Sequence, residues 1–184
     1  MPRGRLIFLV GYMACGKTTL GRALCGACPG FVRFVDLDEY IERQVGMSVK
    51  RIFAVHGEAA FRRMESEAIS AFRAPDDEGQ TIIVACGGGT PCHADNMDRL
   101  LRAGTVVWLS ASFDRTVARL LDAGDSRPLV AGKKPDELRA FVADSLEARR
   151  LHYARAHAVF DSSFLDNEAE IASSVSKFIK QFLS

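Results

Sequence analysis

Gly11-Tyr12-Met13-Ala14-Cys15-Gly16-Lys17-Thr18 satisfies the spacing G-x-x-x-x-G-K-[ST]. Such a loop wraps backbone N–H groups around phosphate oxygens, and a helix N-terminus beneath adds partial positive charge. Gly16 can take backbone conformations closed to other residues. Lys17 then stands as a point charge for the β and γ phosphates, with the Thr18 hydroxyl as a magnesium ligand. Outside a strand–helix context the same string would be a chance glycine turn. In that context it points to a nucleoside triphosphate, without deciding between phosphoryl transfer, a conformational switch and mechanical work.

Three other clusters could supply the second half of a reaction. Asp36-Leu37-Asp38 falls at the C-terminal end of an expected strand, the edge where open α/β sheets bind ligands. Two carboxylates two apart in extended chain point the same way; one could help hold magnesium and the other accept or orient a hydroxyl proton. The alternative is that Asp38 caps a helix starting at Glu39. Arg62 and Glu65 are helix neighbours three apart, so the acid can steer the guanidinium toward a carboxylate ligand; the alternative is a surface ion pair worth under ~1 kcal/mol. Gly87-Gly88-Gly89 would let backbone amides approach a small polar substrate or the γ-phosphate, or it is an ordinary strand-ending turn.

Elements that would position these groups follow from hydrophobic periodicity. Strands are expected at Arg5–Val10, Phe31–Val35, Thr81–Ala85, Thr105–Leu109 and near Val159 and Phe160. Helices are expected at Lys17–Cys25, Glu39–Val45, Val49–Val55, Glu58–Phe72, Ala94–Ala103, Phe113–Leu121, Asp136–Ala154 and Glu168–Phe182, with Ser48 and Ser112 as caps. Gly124–Lys134, rich in Gly, Pro and charge, reads as an exposed flap. The alternation implies a central parallel sheet clothed on both faces.

With 184 residues, 48% hydrophobic and 26% charged, the chain fits one ordinary domain and excludes disorder, fibres and disulfide miniproteins. The 24 basic and 23 acidic residues leave a formal net charge of +1, so no sequence-wide field draws in nucleic acid or an anionic membrane. No apolar run approaches the ~20 residues a bilayer demands, and Leu6–Val10 is too short for the ~7 to 15 residue core of an export signal. A cytoplasmic monomer without nucleic-acid or membrane partners is expected. The five cysteines read as reduced thiols. The Cys25/Cys28 spacing resembles a redox or zinc half-site, but its only candidate partners, Cys86, Cys92 and His93, are irregularly spaced.

In order, GYMACGKTT, VDLDEYIE, the pattern G-M-S-V-x-x-I-F-x-x-x-G-E-x-x-F-R-x-x-E, CGGG and SRPLV resemble the motifs of the shikimate kinase family. The likeness runs over about residues 5 to 155, and the Gly46 to Glu65 stretch discriminates it from other kinases sharing the first loop. It implies a three-layer α/β P-loop kinase fold with a five-stranded parallel sheet, substrate-binding helices over 39–73 and a mobile lid over 124–134. It also implies transfer of the γ-phosphoryl group of ATP, with Mg2+, to the 3-hydroxyl of shikimate, in the pathway to chorismate and the aromatic amino acids.

Carried over by resemblance, Asp38 meets the substrate hydroxyl and Asp36 lies near the magnesium with Thr18. Arg62 and Arg149 clamp the carboxylate, Arg149 being placed by its distance from Tyr153. Gly87, Gly88 and Gly89 form the backbone cradle, Glu65 steers, and Val49, Phe53 and Phe61 wall the ring. Gly11 through Thr18, with Thr19, hold ATP; Arg119 lies beside the adenine, and Arg127 of the lid reaches the phosphates and joins Lys17 and Asp38 in catalysis. Gly124 and Gly132 are candidate hinges. Three features depart from the family. Ala14 stands where it usually has glycine, Cys15 places a thiol beneath the phosphates, and DSSFLDNEAE after Phe160 matches loosely.

Two arginines favour an acid over a neutral sugar, because planar forks pair bidentately with carboxylates. A nucleoside monophosphate or sugar-acid kinase of the same fold is the nearest rival. A GTP-dependent switch has only the loop and Asp76-Asp77-Glu78-Gly79 behind it, with no N-K-x-D string in the sequence. A nucleic-acid motor would need a longer, more basic chain.

Overall fold

The computed structural model describes residues 4–123, 130 and 132–184. In chain order the elements are β1 (Arg5–Val10), α1 (Lys17–Ala27), β2 (Val32–Asp36), α2 (Leu37–Val45), α3 (Val49–Ala71), β3 (Thr81–Ala85), α4 (Asn96–Ala103), β4 (Thr105–Ser110), α5 (Phe113–Asp122), α6 (Pro135–Tyr153), β5 (Ala158–Asp161) and α7 (Glu168–Phe178). A 3-10 turn, Thr90–Cys92, precedes α4, and a π turn, Ile179–Leu183, continues α7. The expected lid residues Gly124 and Arg127 lie outside the described residues.

Every strand pairing is parallel, in the order β2-β3-β1-β4-β5. Strand side chains alternate between faces, and β1 shows the consequence. Leu6, Phe8 and Val10 enter a core under α2 to α6, while Ile7 and Leu9 enter one under α1 and α7. Helices thus cover both faces, giving the expected three layers. Because β1 and β3 are adjacent at the centre, the loops leaving their C-terminal ends, the phosphate loop and Gly87–Gly89, emerge side by side.

Helix α3 is broken at Gly57, whose φ of 78° and ψ of 169° are non-helical. The segments 49–56 and 58–71 are therefore the two helices expected from the pattern, joined at a residue that tolerates positive φ. Ser48 and Ser112 cap α3 and α5, accepting from Arg51 N at 3.3 Å and Arg115 N at 3.4 Å.

Helix α2 departs from expectation. It starts at Leu37, because Asp36 supplies the cap, its Oδ1 accepting from Asp38 N at 3.1 Å. The two aspartates therefore do not share an extended segment. Asp36 sits at the strand–helix junction and Asp38 in the first turn, and the cap is Asp36 rather than Asp38. Helix α4 starts at Asn96 rather than Ala94, whose φ of 46° is left-handed.

Candidate functional site

The phosphate loop joins β1 to α1. Gly16 takes φ 92°, and the N-terminus of α1 carries no side-chain cap and no acid in its first turn, which leaves its N–H groups to an anion. Lys17 folds over the loop, its Nζ donating to the carbonyls of Gly11 and Tyr12 at 2.8 Å each. Ala14 adopts φ 60°, a region that costs a Cβ-bearing residue roughly 1–2 kcal/mol. The methyl group expected to restrict the loop is thus held in the conformation a glycine takes freely. Cys15 is buried, with its Sγ 3.6 Å from Lys17 Nζ, so it packs under the loop away from solvent.

Thr18 Oγ1 donates to Asp36 Oδ2 at 2.8 Å, which ties α1 to the end of β2. A cavity of about 650 Å3 opens above this pair. Met13, Ala14, Gly16, Lys17, Thr18 and Thr19 wall one side, and Asp36, Asp38, Cys86, Gly87 and Gly88 another.

The acid-rich end is organised by the three glycines. A methyl group built on Gly87 would lie 2.9 Å from both Glu65 Oε1 and Thr90 Oγ1 and 3.6 Å from Asp38 Oδ1. On Gly88 it would lie 3.5 Å from Arg149 Nη1, and on Gly89 2.9 Å from Arg62 Nη2. Asp38, Arg62, Glu65 and Arg149, from three different helices, therefore converge on one stretch of bare backbone. Asp38, Arg149 and Arg62 thus each approach one of three consecutive glycines, Gly87, Gly88 and Gly89 in turn.

Glu65 is fully buried; one oxygen accepts from Arg62 Nη1 at 2.8 Å and the other from the Thr90 hydroxyl. Burial opposes the Arg62 charge, but Glu65, then Glu58, outweigh it and hold the guanidinium more firmly protonated. Asp38 Oδ1 is buried with no hydrogen-bond partner among the described residues. Burial, with the neighbouring Asp36 and Glu65 charges, raises its pKa to about 6 against the pull of Lys17. A buried polar atom without a partner usually has a role, and Asp38 lines the cavity together with Lys17, Gly87 and Gly88. Burial also pushes the thiol of Cys86 up, keeping it neutral on the cavity wall.

Not every expected residue touches the cavity. Gly11, Tyr12 and Cys15 lie beneath the loop rather than on the wall, and the Tyr12 ring faces Arg149 at 5.5 Å. Phe61 is buried in the core with its ring 4.9 Å from Phe53, and Arg62 lies 5.8 Å over it; Val49 packs half-buried against the same core. Val49, Phe53 and Phe61 do not line the cavity, and neither do Arg62, Glu65, Gly89 and Arg149, which lie beyond its Gly87 and Gly88 edge. Arg127 lies outside the described residues.

Sequence reasoning missed the opposite wall: Arg115, Ala118 and Asp122 of α5, and Leu165 and Asp166 after β5. Arg119 lines this end as a strut, donating to Ala14 O, Ser162 O and Ser163 O at 3.3, 3.1 and 3.0 Å and to Asp166 Oδ1 at 2.5 Å. Arg115 meets the other Asp166 oxygen at 2.5 Å. The available signal was Arg115 and Arg119 four apart on one helix face. Thr90 was also missed; it directly follows the glycine run.

The family model described as shikimate kinase matches residues 13–180. The chain is 38% identical over 165 residues to a shikimate kinase of Parabacteroides distasonis, covering 90% of this chain and 92% of that one. It is also 38% identical over 158 residues to one of Thermus thermophilus, covering 85% and 81%. Among solved structures, the shikimate kinase of Bacteroides thetaiotaomicron superposes with a TM-score of 0.86 at 35% identity, covering 98% and 99% of the two chains. That of Acinetobacter baumannii, in complex with shikimate, gives 0.77 at 28% identity, covering 98% and 93%.

Proposed function

Because the chain belongs to the shikimate kinase family, we propose that this cavity transfers the γ-phosphoryl group of ATP to the 3-hydroxyl of shikimate, releasing ADP and shikimate 3-phosphate. The observation that carries the reading is the partnerless buried oxygen of Asp38, set between the phosphate loop and the Arg62, Arg149 and glycine cluster.

Phosphoryl transfer passes through a state with negative charge spread over the equatorial oxygens, so the protein's work is alignment and charge neutralisation. The α1 N-terminus and Lys17 receive the triphosphate, Lys17 exchanging its bonds to the loop carbonyls for phosphate oxygens. Arg62 and Arg149 take the carboxylate, which orients the ring. Asp38 then accepts a hydrogen bond from the attacking hydroxyl and takes its proton. Thr18 and Asp36, two hard oxygen donors 2.8 Å apart at the phosphate end, fit Mg2+, which binds through one or two protein oxygens and substrate phosphates. When bound, that ion neutralises phosphate charge. Residues 124–134, with Arg127, complete the proposal as a lid that keeps water from the phosphoryl group, around a single kinase domain.

The test is a coupled ADP-release assay with shikimate, quinate, gluconate and nucleoside monophosphates offered separately. Shikimate should exceed the others in kcat/KM by at least about a hundredfold, the scale on which a shaped pocket rejects even a near-isostere. Equal or better turnover of gluconate or a nucleotide would overturn the assignment.

A further inference from the structure

Tyr12 is part of the phosphate loop, yet its ring does not face the cavity. It is 2% exposed and lies under the Arg149 guanidinium, 5.5 Å from its carbon. Its hydroxyl pairs with Ser145 Oγ, whose own proton goes to Phe141 O at 2.7 Å, so Tyr12 is the donor in that pair. Ser145 and Arg149 are four apart on α6 and share a face. One buried ring therefore grips the residue below Arg149 and supports Arg149 itself. Tyr153, one turn further along α6, donates to Gly88 O at 2.6 Å, the glycine beside Arg149 Nη1. The Tyr12 carbonyl meanwhile accepts from Lys17 Nζ at 2.8 Å. The same residue thus touches the lysine of the phosphate end and the arginine of the acid end.

We propose that Tyr12 is a positioning residue for the acid substrate, its ring holding the Arg149 guanidinium over Gly88 so that the fork meets the carboxylate. This rests on the reading of Arg149 as a carboxylate clamp. A guanidinium on a long flexible stem loses much of its affinity to rotamer freedom unless something fixes its plane, and the face of an aromatic ring does so.

Tyr12→Leu, and Tyr12→Met, which keeps bulk without a ring, should raise the KM for shikimate about fivefold or more, the range of a partly desolvated cation–π contact. KM for ATP and kcat should change less than the shikimate KM does, and Tyr12→Phe, which keeps the ring but loses the Ser145 hydrogen bond, should raise the shikimate KM less than Tyr12→Leu. In a double-mutant cycle, Tyr12→Leu should add little to Arg149→Ala, because the residue it positions is gone. A loop that is merely loosened would instead raise both KM values together and add fully to Arg149→Ala, and either result overturns the inference. If Arg149→Ala itself leaves the shikimate KM unchanged, the clamp reading falls and this inference with it. If that variant is impaired while Tyr12→Leu and Tyr12→Met bind shikimate normally, only the role of Tyr12 falls.

Discussion

Two carboxylates anchor guanidinium groups, one beside the glycine run and one on the α5 wall of the cavity, in opposite settings. Glu65 is fully buried and divides its oxygens between Arg62 and a buried threonine hydroxyl. Asp166 is 30% exposed and divides its oxygens between Arg119 and Arg115. Each fixes the direction of an arginine, but removing a partner from a buried pair costs roughly 3–5 kcal/mol, against at most about 1 kcal/mol for an exposed one. The end proposed to take the acid is therefore rigid and intolerant, and the end beside α5 adjustable. That division suits a site in which a small rigid ring must be aligned within a fraction of an ångström while a long flexible triphosphate is held by many backbone donors.

The largest effect expected from either end belongs to Asp38. Asp38→Asn should lower kcat by at least about a hundredfold, the scale of lost general-base catalysis, while calorimetry finds ATP affinity nearly unchanged. A variant retaining most of its turnover would remove Asp38 from the mechanism and leave the acid end a binding surface only. Burial, then Asp36 and Glu65, raises this carboxyl from 3.8 to about 6. Since the ionised form accepts the proton, kcat/KM for the acid should fall below about pH 6 and level off above it. Stability follows the opposite sign. Between pH 4 and 6 the folded protein keeps a proton that the unfolded chain has lost, so the cost of the buried charge is absent below that window and complete above it. At pH 7, Asp38→Asn should be the more stable protein by on the order of 1–3 kcal/mol, seen as a raised Tm that disappears near pH 4.

The two ends also differ in how far the sequence revealed them. Strand and helix periodicity placed the sheet, and the loop and glycine run mark positions where backbone must approach a ligand, so their chemistry is local and legible. Asp36, Asp38, Arg62 and Glu65 sit within 30 residues of one another, on consecutive elements whose order is itself a pattern. The α2 start was misplaced because an aspartate two residues before another is equally a cap or a strand end, and only the Asp36 to Asp38 N bond decides it. Asp166, by contrast, meets arginines 47 and 51 residues away. No local spacing announces such a pair, because it depends on β4 and β5 being neighbours and on the path of the loop after β5. Tyr12 was legible as a loop residue but not in its direction, since periodicity says nothing of where a loop side chain points.

The intolerance of the acid end can be graded by adding one methyl at a time. At Gly87 a Cβ meets Glu65 Oε1 and Thr90 Oγ1 at 2.9 Å, both buried and both committed. At Gly89 it meets only the far end of Arg62, at 2.9 to 3.1 Å, on backbone with φ −90° that alanine accepts. Gly89→Ala should therefore push the Arg62 fork aside without unfolding anything: a shikimate KM raised about tenfold, the weight of one charge-assisted hydrogen bond, with Tm within a few degrees. Gly87→Ala should lower Tm clearly. If both variants behave alike, the glycines act through backbone geometry rather than through the side chains they admit.

Asp166→Ala is the smallest perturbation and the direct check on the other end. It removes the acid that holds Arg115 and Arg119, yet Arg119 keeps its bonds to Ser162 O, Ser163 O and Ala14 O. That strut therefore stays in place, and the loss is confined to two solvent-screened ion pairs worth at most about 1 kcal/mol each. KM for ATP should rise about two- to threefold and KM for shikimate should not move. Raising the salt concentration should weaken ATP binding less in the variant than in the parent, because part of the screened interaction is already gone. A tenfold loss of ATP affinity, or any loss of shikimate affinity, would mean that Asp166 is coupled to the phosphate loop through the Arg119 to Ala14 bond, and that the two ends are less independent than their burial implies.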